Sequence, residues 1–363
     1  MKHKKHKTNS QSKLKVAIVT DPIIQHKNWY TELKYIIETF PNSEIFTPYY
    51  KPELVQVEFS NIRIHDTFLQ LVAPEENNTE TWLKLERVAY KTLRIRSFDL
   101  VISISSRGAR FIKTKKNLKH IGIIIEPKRL FNKKRLHRKE IKTLQSLDAV
   151  ITSSNSNKRK IKRLYGVTAD VLYPPIEVEK FKPKKLLHRK ENWYLATTDM
   201  SNRALTMLIK ATVKANTPLK IIGPLKPNLE VDQLIKEYKA RGLVKFIGDI
   251  PHEARIELMQ RCRAFIYPIK SRRFGRIPIE ANAAGTPVIA YKRGSVIETI
   301  STQYPKTGIF FNKYNYKSLS KTLENFNDDE FDSKNCIMKA EEYDSSIFMY
   351  KLKTYVEDIV QNN

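Results

Sequence analysis

The chain has 363 residues, with 66 Lys and Arg against 38 Asp and Glu, a formal net charge of +28. At roughly 100–200 residues per domain that length gives two domains, and 41% apolar with 10% aromatic residues makes them globular rather than disordered. Two cysteines, Cys262 and Cys336, exclude a disulfide scaffold and a zinc module and fit a reducing compartment; no apolar run approaches the ~18–20 residues of a membrane span.

Residues 1–13 read as a basic, structureless arm. The run from Met1 to Lys7 is too polar for a secretory signal, so a cytoplasmic protein is expected. Leu14 to Thr20 is a continuous apolar strand, and Trp29 to Phe40 has the spacing of an amphipathic helix. Further strands are expected at 99–104, 121–125 and 148–152, with helices around 81–95, 133–146 and 155–165. Strands alternating with helices predict a parallel sheet covered on both faces. The stretch 172–190, opened by Pro174 and Pro175, interrupts the pattern. Alternation then resumes, with strands at 193–197, 218–222, 244–247, 263–267, 287–290 and 308–311. Helices are expected between them, at 202–214, 230–241, 252–262, 277–284, 295–302 and 316–326, and a last one over much of 337–360. The organisation so read is an arm at 1–13, an N-terminal domain at 14–175, a linker at 176–190, a C-terminal domain at 191–335 and a C-terminal helix at 336–363. Two such α/β domains would face one another across a cleft, with ligands at the carboxyl ends of the strands.

The charge is lopsided. Residues 1–190 hold 40 Lys and Arg against 18 Asp and Glu, a surplus of 22; residues 191–363 hold 26 against 20. The densest stretch, Arg107 to Lys142, has 14 basic residues against Glu126 and Glu140, and Lys158 to Arg163 follows. Such a surface attracts phosphates, whether of a lipid bilayer, a nucleic acid or a phosphorylated carrier. No G-x-G-x-x-G follows the first strand and no phosphate-binding lysine loop occurs, which disfavours dinucleotide and P-loop chemistry. Histidines at metal-binding spacing are absent. Ser103, Ser105 and Ser106 follow a strand without the glycines of a nucleophile turn, and Phe274 reads as packing rather than a base-stacking group.

The informative segment runs from Arg272 to Ala290. Gly275 permits a tight loop, Ile277-Pro278 suits a helix start, and Gly285-Thr286-Pro287 turns into a buried strand. The helix start offers free N–H groups and a positive dipole end to an anion. Arg272, Arg273 and Arg276 add cationic charge there, and the Glu280 carboxylate could accept two hydrogen bonds from a vicinal diol.

This segment resembles the nucleotide-sugar signature of GT-B-fold glycosyltransferases of the family 4 type, written E-x-F-G-x-x-P-x-E followed by A-x-x-x-G-x-P-V-I-A. Phe246 to Pro251, Arg263 to Pro268, Leu172 to Phe181, Asp99 to Ser103 and Phe40 to Thr47 resemble further landmarks of that family, so the likeness spans most of residues 14–330. It implies two Rossmann-like domains, an N-terminal acceptor domain, a C-terminal donor domain and a last helix returning to the first domain. It also implies transfer of a sugar from a nucleotide-sugar donor, such as a UDP- or GDP-sugar, to a glycan, glycolipid or lipid-linked acceptor. The reaction would retain configuration and use neither metal nor cofactor, because fixed cations and dipoles stabilise the departing nucleoside diphosphate.

The resemblance carries Glu280 over as the ribose-binding glutamate, with Gly275, Arg273, Arg276, Ile277 and Ile250 lining the donor site. Arg272 stands where the family has a glutamate facing the sugar, Thr198 where it has a phosphate-binding arginine, Arg203 at its lysine position, Ile125 at a common histidine and Lys27-Asn28 at a glycine pair. Arg272 and Arg203 are the expected catalytic cations, and Arg272 would suit an acidic donor sugar. The alternatives are an inactive GT-B scaffold used for binding or assembly, and a transferase that modifies nucleic acid. The basic first half suits peripheral attachment to an anionic membrane, or less well a nucleic-acid partner.

Overall fold

The computed structural model describes residues 14–24, 29–72, 80–115, 117–185, 190–224, 233–234, 236–237, 242–270 and 274–361. The expected arm at 1–13, the Lys27-Asn28 position, most of the helix expected at 230–241, and Arg272 and Arg273 lie outside them. The chain divides into two compact units, one of residues 1–173 and 348–363, the other of 174–347.

The first unit is a seven-stranded, wholly parallel sheet in the order β3-β2-β1-β4-β5-β6-β7. Its strands are β1 (Val16–Thr20), β2 (Ser43–Phe46), β3 (Ile64–His65), β4 (Leu100–Ser105), β5 (Lys119–Ile124), β6 (Ala149–Thr152) and β7 (Asp170–Val171); its helices are α1 (Tyr30–Thr39), α2 (Pro52–Glu58), α3 (Glu80–Thr92), α4 (Lys134–Gln145) and α5 (Asn155–Tyr165). The central strands are mostly apolar because both faces are covered, with Thr20, Ser103, Ser105, His120 and Thr152 buried among the apolar residues. Val16, Ile18, Leu100, Ile102, Ile121 and Ile151 point to one face, where they pack with α1 and with Phe348, Leu352 and Val356 of the last helix. Ala17, Val19 and Val101 point to the other, under α3. Ile124 and Val150 share that second face, because the register pairs Ser105 with Ile124 and Gly122 with Val150, and they pack under α4 and α5. Ser154 caps α5 by accepting from the Asn157 N–H, and Gly166 at φ +69° closes it.

One polar pair lies inside this core. His120, on β5, shares a 2.8 Å hydrogen bond with Ser103 Oγ, and burial pulls its pKa down to about 4 against the opposing charge of Asp148. An unfolded histidine titrates near ~6.5, so the unfolded chain binds the extra proton between those values. The contribution is full above pH ~6.5 and is lost as the pH falls toward 4, in total roughly 3 kcal/mol. Urea unfolding at pH 7, 5.5 and 4.5 should show the wild type losing more stability than His120→Asn; equal losses would show that the imidazole does not drive the slope.

The second unit is a six-stranded parallel sheet in the order β10-β9-β8-β11-β12-β13. It contains β8 (Tyr194–Thr197), β9 (Leu219–Ile222), β10 (Val244–Gly248), β11 (Phe265–Tyr267), β12 (Val288–Tyr291) and β13 (Gly308–Phe311). Its helices are α6 (Val178–Phe181), α7 (Asn202–Lys214), α8 (His252–Arg261), α9 (Ile277–Ala283), α10 (Val296–Thr299), α11 (Tyr316–Glu324) and α12 (Ser333–Glu341). The stretch expected to be a linker carries the helical turn α6, with Val178 and Phe181 buried, and Ile176 bridges to Asp344.

The single helix expected over 337–360 is two, α12 and α13 (Ser345–Gln361). The break is local: Asp344 Oδ1 accepts from the Ser346 N–H at 2.9 Å and its hydroxyl at 2.6 Å, the behaviour of an N-capping aspartate. Cys262 and Cys336 are both buried free thiols, pushed up to about 12 by that burial.

Candidate functional site

In a parallel sheet all loops after the strands open at one edge, and a crevice forms where successive connections diverge. In the second unit β8 is followed by β9 on one side, while β11 lies on the other. The loops after β8 and β11 therefore flank the switch point, and most of the expected donor residues stand there.

Thr198 directly follows β8. Its N–H is tied to the Ile222 carbonyl at 2.9 Å, and its Oγ1 fills the space beside Gly223, where an added Cβ would lie 2.5 Å from it. Gly223 sits at φ +107°, so the residue type is fixed twice over. Arg203, exposed in the first turn of α7, lies beside Tyr314: burial pushes that phenol up, while the Arg203 charge and a hydrogen bond with Ser201 pull it down. Lys270, exposed on the loop after β11, stands 5.5 Å from the centre of the same ring. Arg203 and Lys270 thus converge on Tyr314 across the crevice.

Tyr267 ends β11. Burial pushes its phenol up, and the neighbouring Asp199 carboxylate adds to the shift. A Cβ on Gly275 would lie 2.7 Å from the Tyr267 hydroxyl, so the loop can approach the strand end only as glycine. Its N–H donates to Ser295 Oγ at 3.4 Å. Arg276 occupies the N-cap of α9, and Ile277 and Pro278 form its first turn, the start expected from the sequence. Ile250 is half-buried in the loop after β10. Phe274 packs against Tyr343 with ring centres 6.3 Å apart, a packing role as expected.

Glu280 is one turn into α9, and it is engaged. Its Oε2 accepts from Arg255 Nη2 at 2.6 Å, with the two side chains 14% and 27% exposed. Arg255 Nε is buried without a hydrogen-bond partner. Arg255, Lys270, Tyr267 and Tyr314 were not foreseen: each is an ordinary residue of a helix or strand end until the fold sets it beside the signature. Among the described residues no three of His, Cys, Asp and Glu gather as metal ligands.

At the corresponding edge of the first unit, Asp21 follows β1 and is buried. Its Oδ2 accepts from the N–H groups of Ser106 and Arg107 at 2.7 and 2.8 Å, and its Oδ1 from those of Gly108 and Ala109 at 2.8 and 3.0 Å. The Ser105 hydroxyl donates to Oδ1 at 3.1 Å. One carboxylate thus shapes the whole loop after β4, and the serine run there is structural, as the sequence suggested. Ile125 gives its carbonyl to Asn157 Nδ2 at 3.1 Å and packs its side chain with the core.

The chain is similar to known proteins in part of its sequence and in its fold. Residues 178–343 match the family described as glycosyl transferases group 1. The chain is 23% identical to alpha-1,3/1,6-mannosyltransferase ALG2 of Homo sapiens over 46% of its own length and 49% of that protein's. It is 26% identical to the O-antigen chain mannosyltransferase RfbU of Salmonella typhimurium over 39% and 41%. The chain thus spans half or less of the length of these curated relatives. Among solved structures, a glycosyltransferase from Rickettsia africae superposes with a TM-score of 0.73 at 14% identity, covering 97% of this chain and 100% of that one. HepE of Anabaena, in complex with UDP, gives 0.69 at 13% identity over 94% and 99%. Residues 178–343 thus match glycosyl transferases group 1, in a chain of the GT-B fold.

Proposed function

We propose that the chain transfers a hexosyl group from a nucleoside-diphosphate sugar to a hydroxyl of a glycan or lipid-linked glycan, with retention of configuration. The observation that carries this is the gathering of Arg203, Lys270, Arg276 and Glu280 around the switch point of the sheet that bears the group 1 match. A departing nucleoside diphosphate needs its growing negative charge met by preorganised donors. Arg203, Lys270 and Arg276 supply fixed positive charge at the mouth of the crevice, and Glu280 is the acceptor for ribose hydroxyls. In this reading Arg203 takes over the phosphate role that Thr198 cannot fill, and the transfer runs without a metal.

The relatives named as mannosyltransferases make mannose the first sugar to try, and the UDP held by HepE makes UDP and GDP the first carriers. The test is product formation: the purified chain is incubated with UDP- and GDP-hexoses and a mixture of lipid-linked and free oligosaccharides. One donor is expected to yield a labelled glycan together with one equivalent of free nucleoside diphosphate. Absence of product with every donor and acceptor would favour the inactive-scaffold reading.

A further inference from the structure

The two faces of the first unit's sheet carry opposite surfaces. Helices α3, α4 and α5 cover the same face, as the register of Val101, Ile124 and Val150 requires. Of the 16 exposed residues on these three helices, 10 are Lys or Arg and none is acidic. On α4 they are Lys134, Arg135, Arg138, Lys139 and Lys142; on α5, Arg159, Lys162 and Arg163. The carboxylates of Glu86 and Glu140, which would offset them, are turned inward and fully buried. On the opposite face the exposed residues of α1 and of α13 from Phe348 onward include Lys351 alone as a base, against Glu38 and Asp358. A chain that merely favours lysine on its surface would not sort charge between two faces of one sheet.

The basic face also has an apolar margin. Leu85 and Val88 are exposed on α3 between Lys84 and Lys91. Beside them the turn Phe68–Leu71 is anchored through buried Leu69, which packs with Ala89 and Trp82. That anchoring leaves Leu71 88% and Val72 65% exposed.

We propose that this face docks on a lipid bilayer containing anionic headgroups, with the Lys and Arg of α4 and α5 against the headgroups and Leu71, Val72, Leu85 and Val88 entering the boundary layer. Basic residues near such a surface attract it independently and additively, and apolar side chains at its edge add burial. A nucleic acid would use the cations but has no use for the aliphatic margin, and beyond Phe68, 47% exposed in the turn at that margin, no exposed aromatic residue on the three helices offers a stacking platform. The proposal stands independently of the donor chemistry, since it concerns binding alone.

The test is co-sedimentation of the full chain with vesicles of phosphatidylcholine containing 30% phosphatidylserine, and with pure phosphatidylcholine. The chain should bind the first and not the second, and lose binding in high salt. Arg135→Glu, Arg138→Glu and Lys142→Glu together should lower the partition coefficient by about 100-fold or more, at roughly fivefold per residue. The same charge change placed on the second unit, as Lys313→Glu, Lys317→Glu and Lys334→Glu, should change it far less, and Leu71→Ser with Val72→Ser should lower it several-fold. Unchanged thermal unfolding would show that the variants fold. Equal loss in the two triple variants, or equal binding to both vesicles, would overturn the proposal. So would binding of a 30-base-pair duplex DNA, lost in the first triple variant, without vesicle binding.

Discussion

Glu140→Ala should destabilise the first unit by about 3–5 kcal/mol, the cost of leaving a buried cation without its partner. Glu140 and Arg110 are wholly inaccessible, with Arg110 Nη2 donating to Glu140 Oε1 at 2.7 Å. The same oxygen accepts from the Tyr165 hydroxyl at 3.2 Å, and Oε2 lies 3.1 Å from His137 Nδ1. The Tyr165 phenol is pushed up to about 12, chiefly by burial. Arg110 Nε and Nη1 are buried with no hydrogen-bond partner, so once the carboxylate is gone the charge is left facing the rings of Phe111 and Tyr165, 5.9 and 5.7 Å from the guanidinium, which offset only part of its desolvation. The pair ties the turn Ala109–Phe111, directly after β4, to α4 and α5.

The double variant Arg110→Met, Glu140→Leu removes both charges and fills much of their volume. Its loss should be far smaller than that of Glu140→Ala, because a buried ion pair and a matched apolar pair are often close in stability. Urea unfolding of the three proteins, followed at the transition of the first unit, checks this. A double variant as weak as the single one would mean that the site depends on shape rather than on charge balance.

The second large effect is expected at Glu280. A nucleotide present at about 100 times its dissociation constant stabilises its site by ~2.7 kcal/mol, which for a unit of this size raises the melting temperature by roughly 5–10 °C. Glu280→Ala should abolish that shift, since it removes the proposed acceptor for the ribose hydroxyls and frees the Arg255 guanidinium that it now holds at 2.6 Å. Arg255→Leu should keep part of the shift, because the carboxylate remains; the difference separates loss of the acceptor from loss of its positioning partner.

Much of the fold could be read from local pattern. β1, β4 and β6 carry only serine and threonine among their apolar residues, and β5 runs Ile-Gly-Ile-Ile from Ile121, because both of their faces are buried; such runs are visible in a short window of sequence. The start of α9 follows from Pro278 at its first turn, whose missing N–H costs nothing there. The short edge strands β3 and β7, two residues each, had no such signal. Their pairing is imposed by the neighbouring strand rather than by their own composition.

The site divides in the same way. Gly275 and Glu280 sit in a contiguous segment whose chemistry can be argued from spacing. The partners that set their geometry come from elsewhere in the chain: Tyr267 behind Gly275, Arg255 on Glu280, Asp21 beneath the loop after β4. Asp21 is a single aspartate after a strand until the fold brings four N–H groups from residues 106–109 onto it. The Arg110–Glu140 pair lies inside a stretch whose dense positive charge suggested a solvated surface. Burial of these two side chains is a tertiary fact, with no periodic signature in the sequence.

The crevice between the loops after β8 and β11 is proposed to hold a nucleoside-diphosphate sugar. Thermal unfolding of the wild type and of Glu280→Ala, with UDP, GDP and ADP and their hexoses, tests it most directly. With one nucleoside diphosphate and its sugar the wild type should melt roughly 5–10 °C higher, and Glu280→Ala should show no rise. No rise with any of them, or a rise that Glu280→Ala leaves unchanged, would contradict it.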